Sequence, residues 1–320
     1  MKRKKFLTSI SVLAAVSVGG SSLLYKGKGD SSLLPIIDTH QHLVDFKRFG
    51  REWAHPPVEG NFGMVAYKKA ISGLNIVKAV YMEVAVPEDK RYQEALYAIE
   101  LCKDQTNPTV GAVISADLYM NDFREYMSQF KNTHCIKGIR AGFKSVESML
   151  DSRIIDNIQL LGEMNMRLDF IVPPSWFPNM AKLIQRCPAT QFQADHCGNA
   201  DPKIFLDQES SVEKLVHERD EWITGITAIA SEKNVVCKIS GVVSRLTDYP
   251  VSAENIAPVI NHCLDIFGAD RVMFASDWPW CLKAVTLNSW VTLLKQVVKN
   301  RSIEDQKKLF HDNAVRHYKI

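Results

Sequence analysis

The sequence predicts an α/β protein, a single (β/α)8 TIM barrel, and three observations predict it. After residue 34, short β-branched runs alternate with longer segments of helical spacing about eight times. Polar residues collect where the apolar strands end, which is where such a barrel carries its chemistry. No glycine-rich phosphate loop follows the first strand, which argues against a doubly wound open sheet.

The first strand, IIDTHQHL (36–43), ends in His40 and His42. Residues two apart on a strand point the same way, so both imidazoles face the interior and can share one divalent ion. H-x-H alone is weak, because two polar residues also occur where a strand leaves a core. The second strand, VKAVYMEVAV (77–86), carries Glu83, read either as a metal ligand or as a partner of Arg140. PTVGAVISA (108–116) and CIKGIRA (135–141) follow, the latter with Arg140. The fifth, RLDFIVP (167–173), has no histidine. TQFQAD (190–195) runs into Asp195 and His196. NVVCKISG (234–241) holds Lys238 and Ser240, with Arg245 just beyond, and RVMFAS (271–276) runs into Asp277.

Helix-like segments lie between the strands, as at 92–105, 152–165, 179–187, 218–233 and 253–268. In a closed barrel the strand ends converge on one mouth. His40, His42, His196 and Asp277 can therefore meet, and histidines with one carboxylate suit zinc or manganese with a position left for water. Such an ion yields hydroxide near neutral pH, and Asp277 can accept the water's proton and pass it to a leaving oxygen.

Other residues carry two readings each. His55 sits in the loop after strand one and is read as touching substrate or as exposed loop. Trp53, Trp176, Trp278 and Trp280 line a pocket wall or pack. His134, His217, His262, His311 and His317 are read as surface or helix residues. The seven cysteines are scattered, form no C-x-x-C pair, and read as free thiols packed like small apolar residues.

Composition narrows the classes. With 46% apolar and 23% charged residues in 320, the chain has material for a large core. A net charge of +3, without a basic stripe interleaved with aromatics, speaks against nucleic-acid binding. The small-molecule class remains. Residues 1–30 run from basic MKRKKF through an apolar stretch to flexible KGKGDSS. That is the layout of an export signal or an uncleaved N-terminal anchor, which implies a periplasmic or extracellular protein. KRKKFLTS resembles a twin-arginine signal with a lysine in place of one arginine. No other stretch is apolar enough to span a membrane, so the barrel domain is read over 31–320.

Taken in order, IIDTHQHL, VKAVYMEV, IKGIRAGF, ADHCG, NVVCKISG, RVMFASDWP and LFHDNAVRHY resemble the metal-dependent amidohydrolase superfamily. The resemblance is to its branch of L-fuconolactonase, L-rhamnonolactonase and pyrone-dicarboxylate lactonase types. It covers about residue 35 to 320 and implies a lactone hydrolase. It implies that His40, His42, His196 and Asp277 hold one divalent metal, zinc or manganese, with Asp277 and His196 catalytic. Arg140, Lys238 and Arg245 match positions that hold an anionic or hydroxylated substrate. The missing fifth-strand histidine departs from the wider superfamily and argues against a binuclear site. Relatives that resemble metal-free lactonases keep metal-free hydrolysis open. A metal-dependent decarboxylase of aromatic acids on the same barrel, and an exported barrel that only binds, are the alternatives.

Overall fold

The computed structural model describes residues 34–50, 60–206 and 217–320. The expected export segment, Trp53 and His55 lie outside them. Eight strands occur where the sequence places them: β1 (Ile36–Gln41), β2 (Ile76–Met82), β3 (Thr109–Ser115), β4 (Ile136–Arg140), β5 (Arg167–Phe170), β6 (Gln191–Ala194), β7 (Val235–Ile239) and β8 (Val272–Phe274). They form one sheet in sequential order, and every neighbouring pair is parallel. A parallel bridge between Gln41 and Trp278 returns the chain beyond β8 to β1. His42 N donates to Trp278 O at 2.9 Å, and Asp277 N donates to His40 O at 3.1 Å. The barrel is thereby closed at its mouth.

Each strand is followed by a helix: α1 (Met64–Ala70), α2 (Arg91–Lys103), α3 (Phe123–Ser128), α4 (Ser152–Glu163), α5 (Phe177–Arg186), α6 (Arg219–Ser231), α7 (Ala253–Phe267) and α8 (Leu287–Val298). The helices cover the outer face of the sheet, which explains why β1, β5, β7 and β8 are buried along their whole length. Several strands end earlier than expected. β2 stops at Met82, β7 at Ile239 and β8 at Phe274, so Glu83 and Ser240 lie one residue past their strands and Asp277 three.

Two final helices, α9 (Ile303–Lys307) and α10 (Asn313–Tyr318), close the other end. Tyr318 and Ala314 pack with Ile37, Val80, Val113, Val236 and Met273 in a cluster of their own. The Tyr318 hydroxyl donates to Gln193 Oε1 at 2.5 Å. Asn313 Nδ2 donates to Ala269 O and Val272 O at 2.7 and 2.8 Å, pinning α10 at the start of β8.

One sequence expectation is corrected here, and those for Trp278 and the cysteines are made specific. His217 is buried, not at the surface, and its Nε2 accepts from Asp201 N at 3.0 Å. Trp278 is a packing residue: it is buried against Phe62 and Tyr67, with ring centroids at 5.5 and 5.3 Å. The cysteines are free but not scattered, since Cys197, Cys237 and Cys263 meet with their sulfurs within 4.8 Å of one another.

Candidate active site

The mouth is built from strand ends that the chain must bend sharply to form. Asp38 anchors the first. Its Oδ1 accepts from Ser276 N at 2.8 Å and His40 N at 3.2 Å, and its Oδ2 accepts from the Tyr67 hydroxyl at 2.7 Å. These bonds lock the end of β1 against the segment after β8. His40 and His42 then place their Nε2 atoms 3.0 Å apart.

After β6 the backbone turns through four consecutive left-handed residues, His196, Cys197, Gly198 and Asn199, with φ of 55°, 54°, 65° and 58°. Only one is glycine, and such conformations cost the others about 1–3 kcal/mol each. The turn is held by Gly198 N and Asn199 N donating to Asp195 O at 3.0 and 3.2 Å. Trp222 Nε1 also donates to Cys197 O at 3.1 Å. His196 packs against Gly241, where a Cβ would come within 2.6 Å of the His196 Cβ; Gly241 also has φ +71°, so glycine is required twice over. His196 Nδ1 lies 2.8 Å from Ser240 Oγ.

Asp277 is a further left-handed residue, with φ 52°. Its Oδ1 sits 3.6 Å from His42 Nε2 and 3.9 Å from His40 Nε2, and its Oδ2 sits 4.0 Å from His196 Nδ1. One donor atom from each of His40, His196 and Asp277 lies within 4.8 Å of the others. Burial lowers all three imidazoles, His40 to about 4, which keeps them neutral and able to ligate. Burial also lifts the Asp277 carboxyl to about 8, against the pull of Arg140.

Behind the histidines is a wholly buried ion-pair network. Lys238 pairs with Asp169 and lies 3.2 Å from Asp195 Oδ1 and 3.4 Å from His40 Nδ1. Asp195 Oδ1 is 3.5 Å from His40 Nδ1. Burial alone would raise the Asp195 carboxyl, but Lys238 and His40 overcome it and hold it well below the usual range. A carboxylate on that side favours the proton on Nδ1 and leaves the Nε2 lone pair facing His42 and Asp277.

In front of the cluster opens a cavity of about 740 Å³ whose lining includes His42, His196, Asp277, Trp280, Arg245 and Lys283. The Trp280 ring stands 4.8 Å from that of His42.

A family profile described as amidohydrolase matches residues 37–320. The chain belongs to the amidohydrolase family. It is 23% identical over 301 residues to an L-fucono-1,5-lactonase of Burkholderia multivorans, covering 89% of this chain and 96% of that protein. A Burkholderia multivorans amidohydrolase crystallised with bound zinc superposes with a TM-score of 0.74 at 20% identity, over 89% of this chain and 99% of that one. A probable 2-pyrone-4,6-dicarboxylic acid hydrolase of Acinetobacter baumannii with citric acid bound gives 0.67 at 15% identity, over 90% and 100%.

In this amidohydrolase His40, His42, His196 and Asp277 converge, and the other expected residues divide. Arg245 lines the cavity and is bonded to Asn199 Oδ1. Arg140 also lines it, but its guanidinium is committed to Glu83 and donates to Glu83 O at 3.1 Å. Glu83 is accordingly the partner of Arg140, and its second oxygen accepts from Ala85 N at 2.6 Å. Lys238 has no exposed side-chain surface and pairs with Asp169 and Asp195, the ion-pair arrangement of its two readings. Among the tryptophans Trp280 takes the wall, while Trp176 packs on the core.

Asp169 and Lys283 were not singled out from sequence. Asp169 carries a signal, since a carboxylate inside RLDF on a barrel strand must find a buried cation. Lys283 carries none, because its position depends on the turn after Pro279.

Proposed function

We propose that this chain is a hydrolase that opens the cyclic ester of a small sugar-derived or carboxylated compound. The observation that carries the reading is the meeting of His40, His42, His196 and Asp277 at the carboxyl ends of the strands in an amidohydrolase-family barrel. The lactone and pyrone hydrolases among its relatives supply the reaction class.

The donor set fits one divalent ion, zinc or manganese. Two neutral imidazole nitrogens facing each other at 3.0 Å with a carboxylate oxygen 3.6 Å away make a cation cradle. His40, His42, His196 and Asp277 would hold the ion, which when bound polarises a carbonyl and acidifies water.

The chain's own residues do the rest. Asp277 takes a proton from the attacking water and returns it to the ring oxygen as the carbon–oxygen bond breaks, so the ester becomes a hydroxy acid. His196, fixed by Ser240 and by the left-handed turn, keeps its ring beside Asp277. Arg245 and Lys283 face the cavity with positive charge for the carboxylate or hydroxyls of the substrate. Trp280 gives the ring a flat wall.

Residues 1–30 are proposed as an export signal or anchor, supported by their basic, apolar, polar order. Equal periplasmic amounts in wild-type and twin-arginine-deficient hosts would sink the twin-arginine form of this proposal.

The test of function is a proton-release assay on L-fucono-1,5-lactone and on 2-pyrone-4,6-dicarboxylate. Ring opening that disappears in Asp277→Asn supports the reading. Carbon dioxide release from an aromatic hydroxy acid, with no lactone opened, would overturn it.

A further inference from the structure

Between the sheet and its helical cover, three thiols meet that the hydrolytic site does not use. Cys197 stands in the left-handed turn after β6, Cys237 on β7 and Cys263 on α7. Their sulfurs all lie within 4.8 Å of one another, and none of the three residues has any exposed surface. The turn is seated tightly. Gly198, at φ +65°, has no room for a side chain, since a Cβ there would collide with Ile226 Cδ1 on α6, and only glycine permits so close an approach. Trp222, also on α6, donates from Nε1 to Cys197 O at 3.1 Å and holds the turn in place. The Cys237 thiol makes one long bond to backbone, to Lys238 O at 3.9 Å.

We infer that Cys197, Cys237 and Cys263 form a binding site for one copper(I) ion, separate from the mouth. A metal–sulfur bond of about 2.3 Å sets the corners of a planar three-sulfur site about 4.0 Å apart, and the observed limit of 4.8 Å accommodates that triangle. Soft sulfur donors select copper(I) and zinc over harder ions. Zinc asks for a fourth ligand, but among the described residues no histidine or carboxylate joins the set, and full burial leaves no water to complete it. Copper(I) is satisfied by sulfur alone. The mouth, with its nitrogen and oxygen donors, suits zinc or manganese, so donor type sorts the two ions.

Burial also limits the charge the site can carry. The ion exchanges for two thiol protons. Two sulfurs bind as thiolates, the third stays a thiol, and the site keeps a single negative charge. No electron is transferred. Because no sulfur is exposed, the ion enters as the chain folds, and it ties the turn that carries His196 to β7 and α7.

The full chain is produced in copper-supplemented culture, purified without oxygen and washed with bathocuproine disulfonate, which strips accessible copper. The expected result is about one copper per chain by inductively coupled plasma mass spectrometry. X-ray absorption should show copper(I) with sulfur neighbours alone, at about 2.3 Å. The copper should persist in His40→Ala, which removes a ligand of the mouth, and be lost in Cys263→Ala. Copper absent from the washed chain, copper with nitrogen or oxygen neighbours, or copper lost in His40→Ala and retained in Cys263→Ala would overturn the proposal. The absorption spectrum of the unaltered chain decides the matter even where Cys263→Ala fails to fold.

Discussion

The two ends of this barrel solve opposite problems. At the base, α10 drives Tyr318 and Ala314 into an apolar layer, and the Tyr318 hydroxyl is satisfied by Gln193. At the mouth, three imidazoles and Asp277 crowd together, and Asp195 and Lys238 are buried behind them. The non-glycine residues His196, Cys197, Asn199 and Asp277 are held left-handed there. The base is consistent at every level and adds stability. The mouth stores conformational cost and buried charge, and the rest of the fold offsets it. Stability and chemistry should therefore separate along the barrel axis.

The largest expected break is Asp277→Asn. It should lower kcat/KM by about 10³-fold, while Tm holds or rises, because a carboxyl that burial disfavours is removed. Parallel measurement of turnover and thermal unfolding checks it; a large fall in Tm would mean that Asp277 is structural. Next comes Lys238→Met, which strips the shared ammonium from Asp169 and Asp195. It should cost about 3–5 kcal/mol by denaturant unfolding and also reduce turnover, because Asp195 loses its hold beside His40. Here stability and chemistry are not independent, and the variant measures how strongly they couple at the mouth. Tyr318→Phe is the control at the base. It should cost about 1 kcal/mol and leave kcat/KM unchanged.

A pH-dependent effect concerns Glu94, buried on α2. Its Oε1 accepts from Val84 N at 2.6 Å and from the Tyr81 hydroxyl at 3.0 Å. Burial, with Glu83 adding to it, lifts its carboxyl from 4.5 to about 8. Between those values the folded chain keeps a proton that the unfolded chain has lost. Its contribution is therefore complete below pH 4.5 and is lost as pH rises through about 8. Melting curves from pH 5 to 9 should show Tm falling across that window, and Glu94→Gln should flatten the fall.

The same contrast explains what the sequence makes legible. The strands are readable because both faces are covered, so the β-branched openings of IIDTHQHL and NVVCKISG stand out, and their polar ends mark the mouth. His40, His42, His196 and Asp277 follow from strand-end position together with the family resemblance. What escapes is pairing. Lys238 and Asp195 lie on neighbouring strands, yet nothing local says that the lysine turns inward to Asp169 and not outward to a substrate. Arg140 presents the same ambiguity and resolves it through Glu83. His217 has no strand context at all, and its burial comes from Asp201, sixteen residues away. The cysteines are legible singly but not as clusters, because α7 brings Cys263 to Cys197 and Cys237 only in three dimensions.

The central claim is that the mouth is a metal-binding hydrolytic site. The most direct measurement is metal content by inductively coupled plasma mass spectrometry on the purified protein and on His40→Ala. About one zinc or manganese per chain, lost in the variant, is the expected result. A protein that stays metal-free after reconstitution with both ions, or a variant that retains the wild-type content, would contradict it.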